Sequence, residues 1–292
     1  DEAAVDGLAR KLPHYGKYSY LAFEGEEPVN VAKGQWTAAG SLLVRLLSDN
    51  PVGADFKPLP ERQALAGLAP VFSEQRMMDH VRFLADSSLE GRGVGTKGAE
   101  KAAEYIAGYF KKTGLQPIEE NNGYFQIWED VIDGQGNKGE LKNVIGIIPG
   151  KKEIYAEQSV VVCAHYDHLG KGWPDVRKGN EGKIHPGADD NASGVAVMLE
   201  LAELLSGDVR PDRTIVFIAF TAEESGLRGS KRYLQYTKEF PKEKIMGAIN
   251  LDTVGRLFNK KALALNTDSA REWKFIFMGA SYVTGVETEI CL

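Results

Sequence analysis

Four short groups of polar residues, three of them purely acidic or amide-bearing and one containing a histidine, follow apolar segments of this sequence. Imidazole nitrogens and carboxylate oxygens are ligands that suit Zn²⁺ in catalytic sites. The apolar segments have the composition of buried strands, and α/β sheets carry their functional sites just beyond the carboxyl ends of their strands. The sequence therefore predicts a metal site at one edge of a sheet. The four groups are His165-Tyr166-Asp167, Asp189-Asp190-Asn191, Glu223-Glu224 and Asp252.

His165 and Asp167 are separated by one residue at the end of a predicted strand. In an extended chain both side chains project to the same side. A metal-bound imidazole usually donates its second N–H to a carboxylate, which fixes the orientation of the ring. The pair could supply both groups. The structural alternative is a histidine that caps the strand end, and the spacing alone leaves both interpretations open.

The acidic groups also have structural alternatives. Asp190 precedes an apolar helix pattern, where Asp is a common N-cap. Thr221 and Glu224 have the spacing of a capping box, with Thr at the N-cap and Glu at N3, and Asp252 could form a turn. In the metal-site interpretation, either Glu223 or Glu224 binds metal while its neighbour accepts a proton from water. We favour the metal site because separate strand ends all carry such residues.

Strand and helix patterns alternate through the second half of the chain, which predicts βαβ crossovers and a mostly parallel sheet covered by helices on both faces. The expected fold class is therefore α/β, with three αβα layers around a central mixed sheet. The predicted strands are 124–131, 141–148, 159–164, 214–220, 245–251 and 262–265, and the predicted helices are 193–205, 229–236 and 268–282.

Composition excludes several classes of function. The chain has 292 residues, a net charge of -6 and 43% hydrophobic residues, so it can bury a large core but is a poor ligand for nucleic acid. No apolar run is long enough for a membrane span. Two cysteines cannot build a disulfide framework. Residues 1–70 form a predicted N-terminal extension of unknown role, with a possible short helix at 37–47, and residues 71–292 form the predicted catalytic domain.

The motifs around these groups resemble the bacterial leucyl aminopeptidase family of di-zinc exopeptidases, within the aminopeptidase Y and glutamate carboxypeptidase II superfamily. The resemblance begins near residue 74, includes the glycine-rich loop 89–95 as a helix entry, and continues to the end of the chain. It implies the zinc-exopeptidase (phosphorylase/hydrolase-like) type of αβα fold. The motifs are segments 162–170, 187–194, 221–230 and 250–256.

The resemblance also implies a role for each residue of the predicted site. His165 and Asp252 would hold one zinc, Asp190 would bridge two zincs, and Glu224 would hold the second. Glu223 would be the general base. Asp167 would be the partner of His165, on the side of the imidazole ring that faces away from the metal. A cis peptide bond after Asp190 is expected from the same resemblance.

The chain departs from the family pattern at the second zinc, which takes a final histidine from a segment near the C-terminus. None of the five histidines follows Asp252, so we interpret the chain as lacking that part and expect one firmly held zinc and one weakly held zinc. His185 is one alternative donor. His168 is expected to point away from His165, as alternate residues of an extended strand do, and to pack nearby.

The expected function is that of a zinc-dependent aminopeptidase acting on peptides with a free N-terminus. Alternatives are a carboxypeptidase or a glutaminyl cyclase on the same fold, or a non-catalytic, receptor-like member. The resemblance predicts a secreted or periplasmic protein. The oligomeric state and the preferred N-terminal residue do not follow from the sequence.

Overall fold

A computed structural model of the chain describes residues 2–16, 18–34, 71–119, 123–207, 211–257 and 261–291. The chain divides into two compact units, Asp1–Arg62 and Gln63–Leu292. In the first unit, helix α1 (Val5–Lys11) precedes a hairpin of strands β1 (Tyr20–Glu24) and β2 (Val29–Gly34). The helix predicted at 37–47 lies outside the described residues. The division into an N-terminal extension at residues 1–70 and a catalytic domain at residues 71–292 stays a prediction.

The second unit is built on a five-stranded mixed sheet in the order β3-β4-β6-β5-β7. Strand β4 is antiparallel to both neighbours, and the other four strands share one direction. The elements in chain order are α2 (Glu74–Leu84), α3 (Lys97–Lys112), β3 (Phe125–Val131), β4 (Lys138–Ile148), β5 (Ser159–His165), α4 (Gly194–Ser206), β6 (Thr214–Phe220), α5 (Arg228–Tyr236) and β7 (Ile245–Asn250).

Helices cover both faces of this sheet because its central strands are apolar on both sides. Phe217 of β6 packs in one cluster with Ile106 of α3 and Leu199 of α4. Its neighbour Ile218 points to the opposite face and packs in a second cluster with Tyr233 of α5. Successive residues of a strand face opposite sides, so an uninterrupted apolar run is the pattern of a strand buried on both faces. The predicted three-layer αβα fold with a mixed, mostly parallel sheet is confirmed.

The last described elements form a smaller sheet of their own. Strand β8 (Lys261–Ala264) is followed by helix α6 (Glu272–Thr284) and strand β9 (Glu287–Ile290). Strand β8 pairs in parallel with β9. The strand and the helix predicted here are present, although the strand is not part of the central sheet. No helix among the described residues is both long and apolar enough to cross a membrane.

The strand order explains why distant residues meet. Strand β5 lies between β6 and β7 and is parallel to both, with His165 level with Phe220 and Cys163 level with Asn250. The segments that follow these three strands therefore leave the sheet at one edge. Each of those segments carries one of the groups singled out in the sequence.

Candidate metal centre

His165, Asp190 and Asp252 form the first group of potential ligand atoms. Nε2 of His165 lies 3.2 Å from Oδ1 of Asp190 and 3.5 Å from Oδ1 of Asp252. Its Nδ1 lies 3.1 Å from the backbone carbonyl oxygen of Asp167. An N–H donated from Nδ1 to that carbonyl leaves the Nε2 lone pair directed at the two carboxylates. This is the arrangement in which histidines bind metals.

His168, Asp190 and Glu224 form a second group that shares Asp190 with the first. Nδ1 of His168 lies 2.6 Å from Oε1 of Glu224 and 3.9 Å from Oδ1 of Asp190. The sequence analysis missed His168 because it extended the alternation of a strand past its end. Strand β5 stops at His165, so the alternation no longer governs the residues that follow.

Glu223 and Asp167 lie next to the first group. Oε2 of Glu223 is 4.0 Å from Nε2 of His165. The Asp167 side chain is fully buried, and its Oδ1 accepts a hydrogen bond from the backbone N–H of Glu223 at 3.1 Å. Its carboxylate is 3.8 Å from Nδ1 of His165, farther than its own backbone carbonyl. The structure therefore brings all six predicted site residues together, while their catalytic and ligand roles stay predictions.

Glu223 and Glu224 are not part of a helical capping box. Helix α5 begins at Arg228, its N-cap is Leu227, and no side chain caps it. The backbone of Ala222 has a φ of 55°, and the carbonyl of Glu223 accepts hydrogen bonds from the N–H groups of Gly226 and Leu227. The two glutamates thus lie in a turn between β6 and α5. The capping alternative weighed for Thr221 does not describe this segment.

Asn191 joins the loop that carries Asp190 to the segment that carries Asp252. Its side-chain amide donates to the carbonyl of Leu251 at 2.9 Å, and its Oδ1 accepts from the N–H groups of Gly194 at 3.0 Å and Thr253 at 3.3 Å. The backbone is therefore clamped on both sides of Asp252. The peptide bond between Asp190 and Asn191 is cis, as the family resemblance implied.

Arg92 is a buried cation behind the site, and the sequence analysis assigned it no role. Its guanidinium donates to the carbonyls of Tyr166 at 2.8 Å, Pro186 at 2.7 Å and Gly187 at 2.8 Å, and also to the carbonyl of Leu84. One side chain thus connects the segment after β5 with the loop before Asp190. Burial lowers its pKa to about 10, an effect opposed by the charges of nearby carboxylates, so it is cationic at neutral pH.

Gly187 makes the close approach of these loops possible. Its φ is 59°, and a Cβ atom at this position would lie 2.4 Å from the carbonyl oxygen of Asp190 and 2.6 Å from Cγ of His168. Glycine is the residue that adopts such a backbone conformation without a steric cost. Its missing side chain leaves the space that the His168 ring occupies beside the loop.

The carboxylates create a field that favours a cation at the centre. Burial lowers the pKa of His165, but hydrogen bonds to Asp190 and Asp252, and the charges of Asp167 and Glu223, outweigh it and raise the pKa to about 11. Burial raises the pKa of Asp167 to about 6, against the opposing charge of His165. Burial likewise raises the pKa of Glu223. Raised pKa values of this kind are expected where several carboxylates are crowded together, because their mutual repulsion favours the binding of protons or of a metal cation.

The donor set fits a divalent metal such as zinc. Imidazole nitrogen and carboxylate oxygens converge in two groups, and Asp190 offers atoms to both. Oδ2 of Asp167 is buried without a hydrogen-bond partner, and its charge is compensated when positive charge is bound nearby. His185, the alternative donor considered from the sequence, lies 3.3 Å from the carbonyl of Asn180 and belongs to neither group.

Known proteins that are similar in sequence to this chain include an aminopeptidase and probable zinc metalloproteases. The sequence model of Peptidase family M28 matches residues 143–286. Aminopeptidase YwaD of Bacillus subtilis is 39% identical over 127 residues, covering 43% of this chain and 25% of that protein. A probable zinc metalloprotease of Pyricularia oryzae is 33% identical over 259 residues, covering 87% of this chain and 48% of that protein. The chain thus spans between a quarter and about half of these relatives.

Solved structures match the fold. A leucine aminopeptidase precursor from Bacteroides thetaiotaomicron superimposes with a TM-score of 0.59 at 21% identity, covering 77% of this chain and 80% of that one. Glutaminyl cyclase from the same organism superimposes equally well, with a TM-score of 0.59 at 21% identity, covering 77% and 79%. At this identity the superpositions establish the shared architecture and do not distinguish between the two activities.

Proposed function

Because the sequence model of peptidase family M28 matches residues 143–286, we propose that this metal centre hydrolyses the N-terminal peptide bond of peptides. The observation that carries the proposal is the position of Glu223. Its carboxylate lies beside two groups of metal-ligand atoms that share Asp190, and 4.0 Å from the imidazole of His165. A carboxylate held next to a metal centre without being needed as a ligand is placed to move protons.

His165, Asp190, Glu224 and Asp252 would hold zinc in this site. Zinc, when bound, supplies the Lewis acidity that polarises a scissile carbonyl and makes water a nucleophile near neutral pH. Glu223 accepts the proton of the attacking water and delivers it to the leaving amine. Asp167 holds the His165 ring through its backbone carbonyl and fixes the Glu223 backbone through its carboxylate.

The acidic surroundings also support a preference for a free amino terminus. Asp190, Glu223 and Asp252 are partly exposed at the edge of the sheet, where a positively charged substrate group can approach. The negative charges of these carboxylates would attract the ammonium group at the N-terminus of a peptide. Cleavage would then be confined to the first peptide bond, because only the end of a peptide carries that charge.

The test replaces Glu223 by glutamine and measures hydrolysis of aminoacyl nitroanilides. Loss of a general base costs about 10²–10⁴-fold in rate, so we expect kcat to fall by at least about 100-fold while zinc content stays unchanged. Glu243→Gln is the matched control, because Glu243 is an exposed residue of the same type on the segment before β7. Unchanged kcat in Glu223→Gln would remove the general-base role.

Substrate variants decide between this proposal and its alternatives. Hydrolysis of free-amine peptides and no reaction with N-acetylated peptides is the result expected of an aminopeptidase. Release of a C-terminal residue from blocked peptides would indicate a carboxypeptidase, and loss of ammonia from N-terminal glutamine would indicate a glutaminyl cyclase. A metal-loaded chain inert toward all of them would favour the receptor-like alternative. Secretion or a periplasmic location stays a prediction that cell fractionation would test.

A further inference from the structure

The two glutamates of the metal centre lie in residues 221–229, a segment that we call the glutamate turn. It runs from the end of β6 to the first turn of α5. Inside it, the N–H of Arg228 donates to the carbonyl of Ala222 at 2.9 Å, which closes the turn. Internal bonds set the shape of the turn but not its place relative to the sheet. The placement of Glu223 and Glu224 therefore depends on the contacts that join the turn to the rest of the fold.

Asn143 of β4 joins both ends of the glutamate turn to the sheet. Its side chain is completely buried. Oδ1 accepts a hydrogen bond from the N–H of Thr221 at 3.2 Å, and Nδ2 donates to the carbonyl of Gly229 at 2.9 Å. Nδ2 also donates to Oε1 of Gln126 on β3 at 2.9 Å. One side chain therefore binds the first and the last residue of the turn, and a second buried amide orients it.

A carboxamide in this orientation satisfies all three partners. Reversing the amide would place its NH2 group against the N–H of Thr221 and its oxygen against the carbonyl oxygen of Gly229, so the network itself assigns oxygen and nitrogen. Aspartate would lack both donors, and leucine would have a similar volume but neither donor nor acceptor. Gly229 completes the contact, because a Cβ there would lie 2.6 Å from Oδ1 of Asn143 and 2.2 Å from the carbonyl oxygen of Thr221. Only glycine lets the start of α5 approach β4 this closely.

We infer that Asn143 is a positioning residue of this site: it fixes the glutamate turn so that the Glu223 carboxylate lies beside the metal centre. The inference rests on the proposed function, in which Glu223 carries the proton. Asp167 fixes the same turn at the N–H of Glu223, at 3.1 Å, and Asn143 fixes its two ends. Misplacing a catalytic group by about 1 Å can lower the rate by about 100-fold. The competing role for Asn143 is a purely structural one, in which its loss lowers stability and leaves the folded site unchanged.

A double-mutant cycle on the zinc-loaded chain separates these two roles. In Asn143→Leu we expect kcat for aminoacyl nitroanilides to fall by about 10–100-fold, with KM changed by less than about threefold. In the Glu223→Gln background the same substitution should lower kcat by no more than about twofold, because the group that Asn143 positions is already lost. Val144→Ala is the matched control. Val144 is the next residue of β4, is equally buried and packs in the cluster with α3 and α4, so its substitution should destabilise the chain and leave kcat unchanged.

Amide hydrogen exchange of the metal-free chain gives a readout that does not depend on catalysis. Local opening exposes the amides of one segment to exchange without unfolding the rest. In Asn143→Leu we expect the glutamate turn to exchange at least about 10-fold faster relative to β5 and α3, because the two neutral hydrogen bonds that hold its ends are lost. Val144→Ala should show no such selective change in the glutamate turn.

Gln126→Met provides a second variant if Asn143→Leu does not fold. It removes the bond that orients the amide and leaves Asn143 in place, so we expect kcat to fall by about 2–10-fold, the range for one neutral hydrogen bond. Wild-type kcat in Asn143→Leu, a full further loss of kcat in the Glu223→Gln background, or unchanged exchange of the glutamate turn would overturn the inference and leave the hydrolase proposal intact. Unchanged kcat in Gln126→Met would do the same where that variant carries the test. A zinc-loaded wild type that hydrolyses no peptide would overturn both.

Discussion

Replacing Arg92 by lysine tests the idea that one buried cation holds the metal-site loops together. Arg92 is completely buried and donates four hydrogen bonds to backbone carbonyls through three nitrogens. Lysine keeps the charge but has only three N–H donors, all on one nitrogen, so at least one of the four bonds is lost. Hydrogen bonds to charged groups contribute about 1.5–3 kcal/mol each. The free energy of unfolding should therefore fall by at least about 1.5–3 kcal/mol, a large part of the 5–15 kcal/mol typical of a domain.

The assay is denaturant unfolding of the metal-free chain, together with calorimetric measurement of zinc affinity. Arg82→Lys is the matched control. Arg82 lies on helix α2, is mostly exposed and pairs with Asp79, and exposed pairs contribute about 1 kcal/mol or less. Because Arg92 holds the carbonyls of Tyr166 and Gly187, we also expect its replacement to weaken zinc binding by about 10–100-fold. Equal unfolding free energies for Arg92→Lys and Arg82→Lys would refute the reasoning.

Three further substitutions test the surroundings of the site. Asp167→Asn should remove a pH dependence from the unfolding free energy of the metal-free chain. In the folded wild type the pKa of Asp167 is raised from 3.8 to about 6. The free energy of unfolding of the wild type therefore falls by about 3 kcal/mol relative to that of the variant as pH rises through this interval. Parallel pH profiles of the two proteins would contradict this prediction. Asn191→Ala should release the backbone around Asp252 and weaken the first zinc-binding step by about 10–100-fold; unchanged zinc affinity would show that the clamp is dispensable. Gly187→Ala should destabilise the chain by about 1–3 kcal/mol more than Gly136→Ala, because both have positive φ but only Gly187 lacks space for a Cβ; equal losses in thermal unfolding would count against the packing argument.

The central sheet and the four polar groups were predictable because they depend on local patterns. An uninterrupted apolar run such as that around Phe217 indicates a strand buried on both faces, and it is such a strand. The strand-end rule then places His165, Asp190 and Asp252 at one edge, where the structure has them within reach of one metal. For these three residues, the metal site expected from the residue types lies at the sheet edge expected from the strand order.

Other features could not be read from local patterns. The spacing of Thr221 and Glu224 fits a capping box, yet α5 begins only at Arg228, because the turn before it is held by its own backbone hydrogen bonds and by Asp167. His168 was expected to point away from His165 and to pack nearby, yet its ring faces Glu224. Arg92 lies in a segment interpreted only as a helix entry, and its partners are as many as 95 positions away along the chain.

The sequence by itself determined the kind of chemistry, the αβα architecture and the strand ends that carry the polar residues, because near neighbours and simple periodicity set these properties. Only the tertiary structure decided which atoms face one another: that Asp190 belongs to two groups, that His168 turns toward Glu224, and that a guanidinium holds both loops from behind. Beyond the end of a strand, the direction of a side chain is set by hydrogen bonds and close contacts with distant segments. Those contacts exist only once the chain has folded.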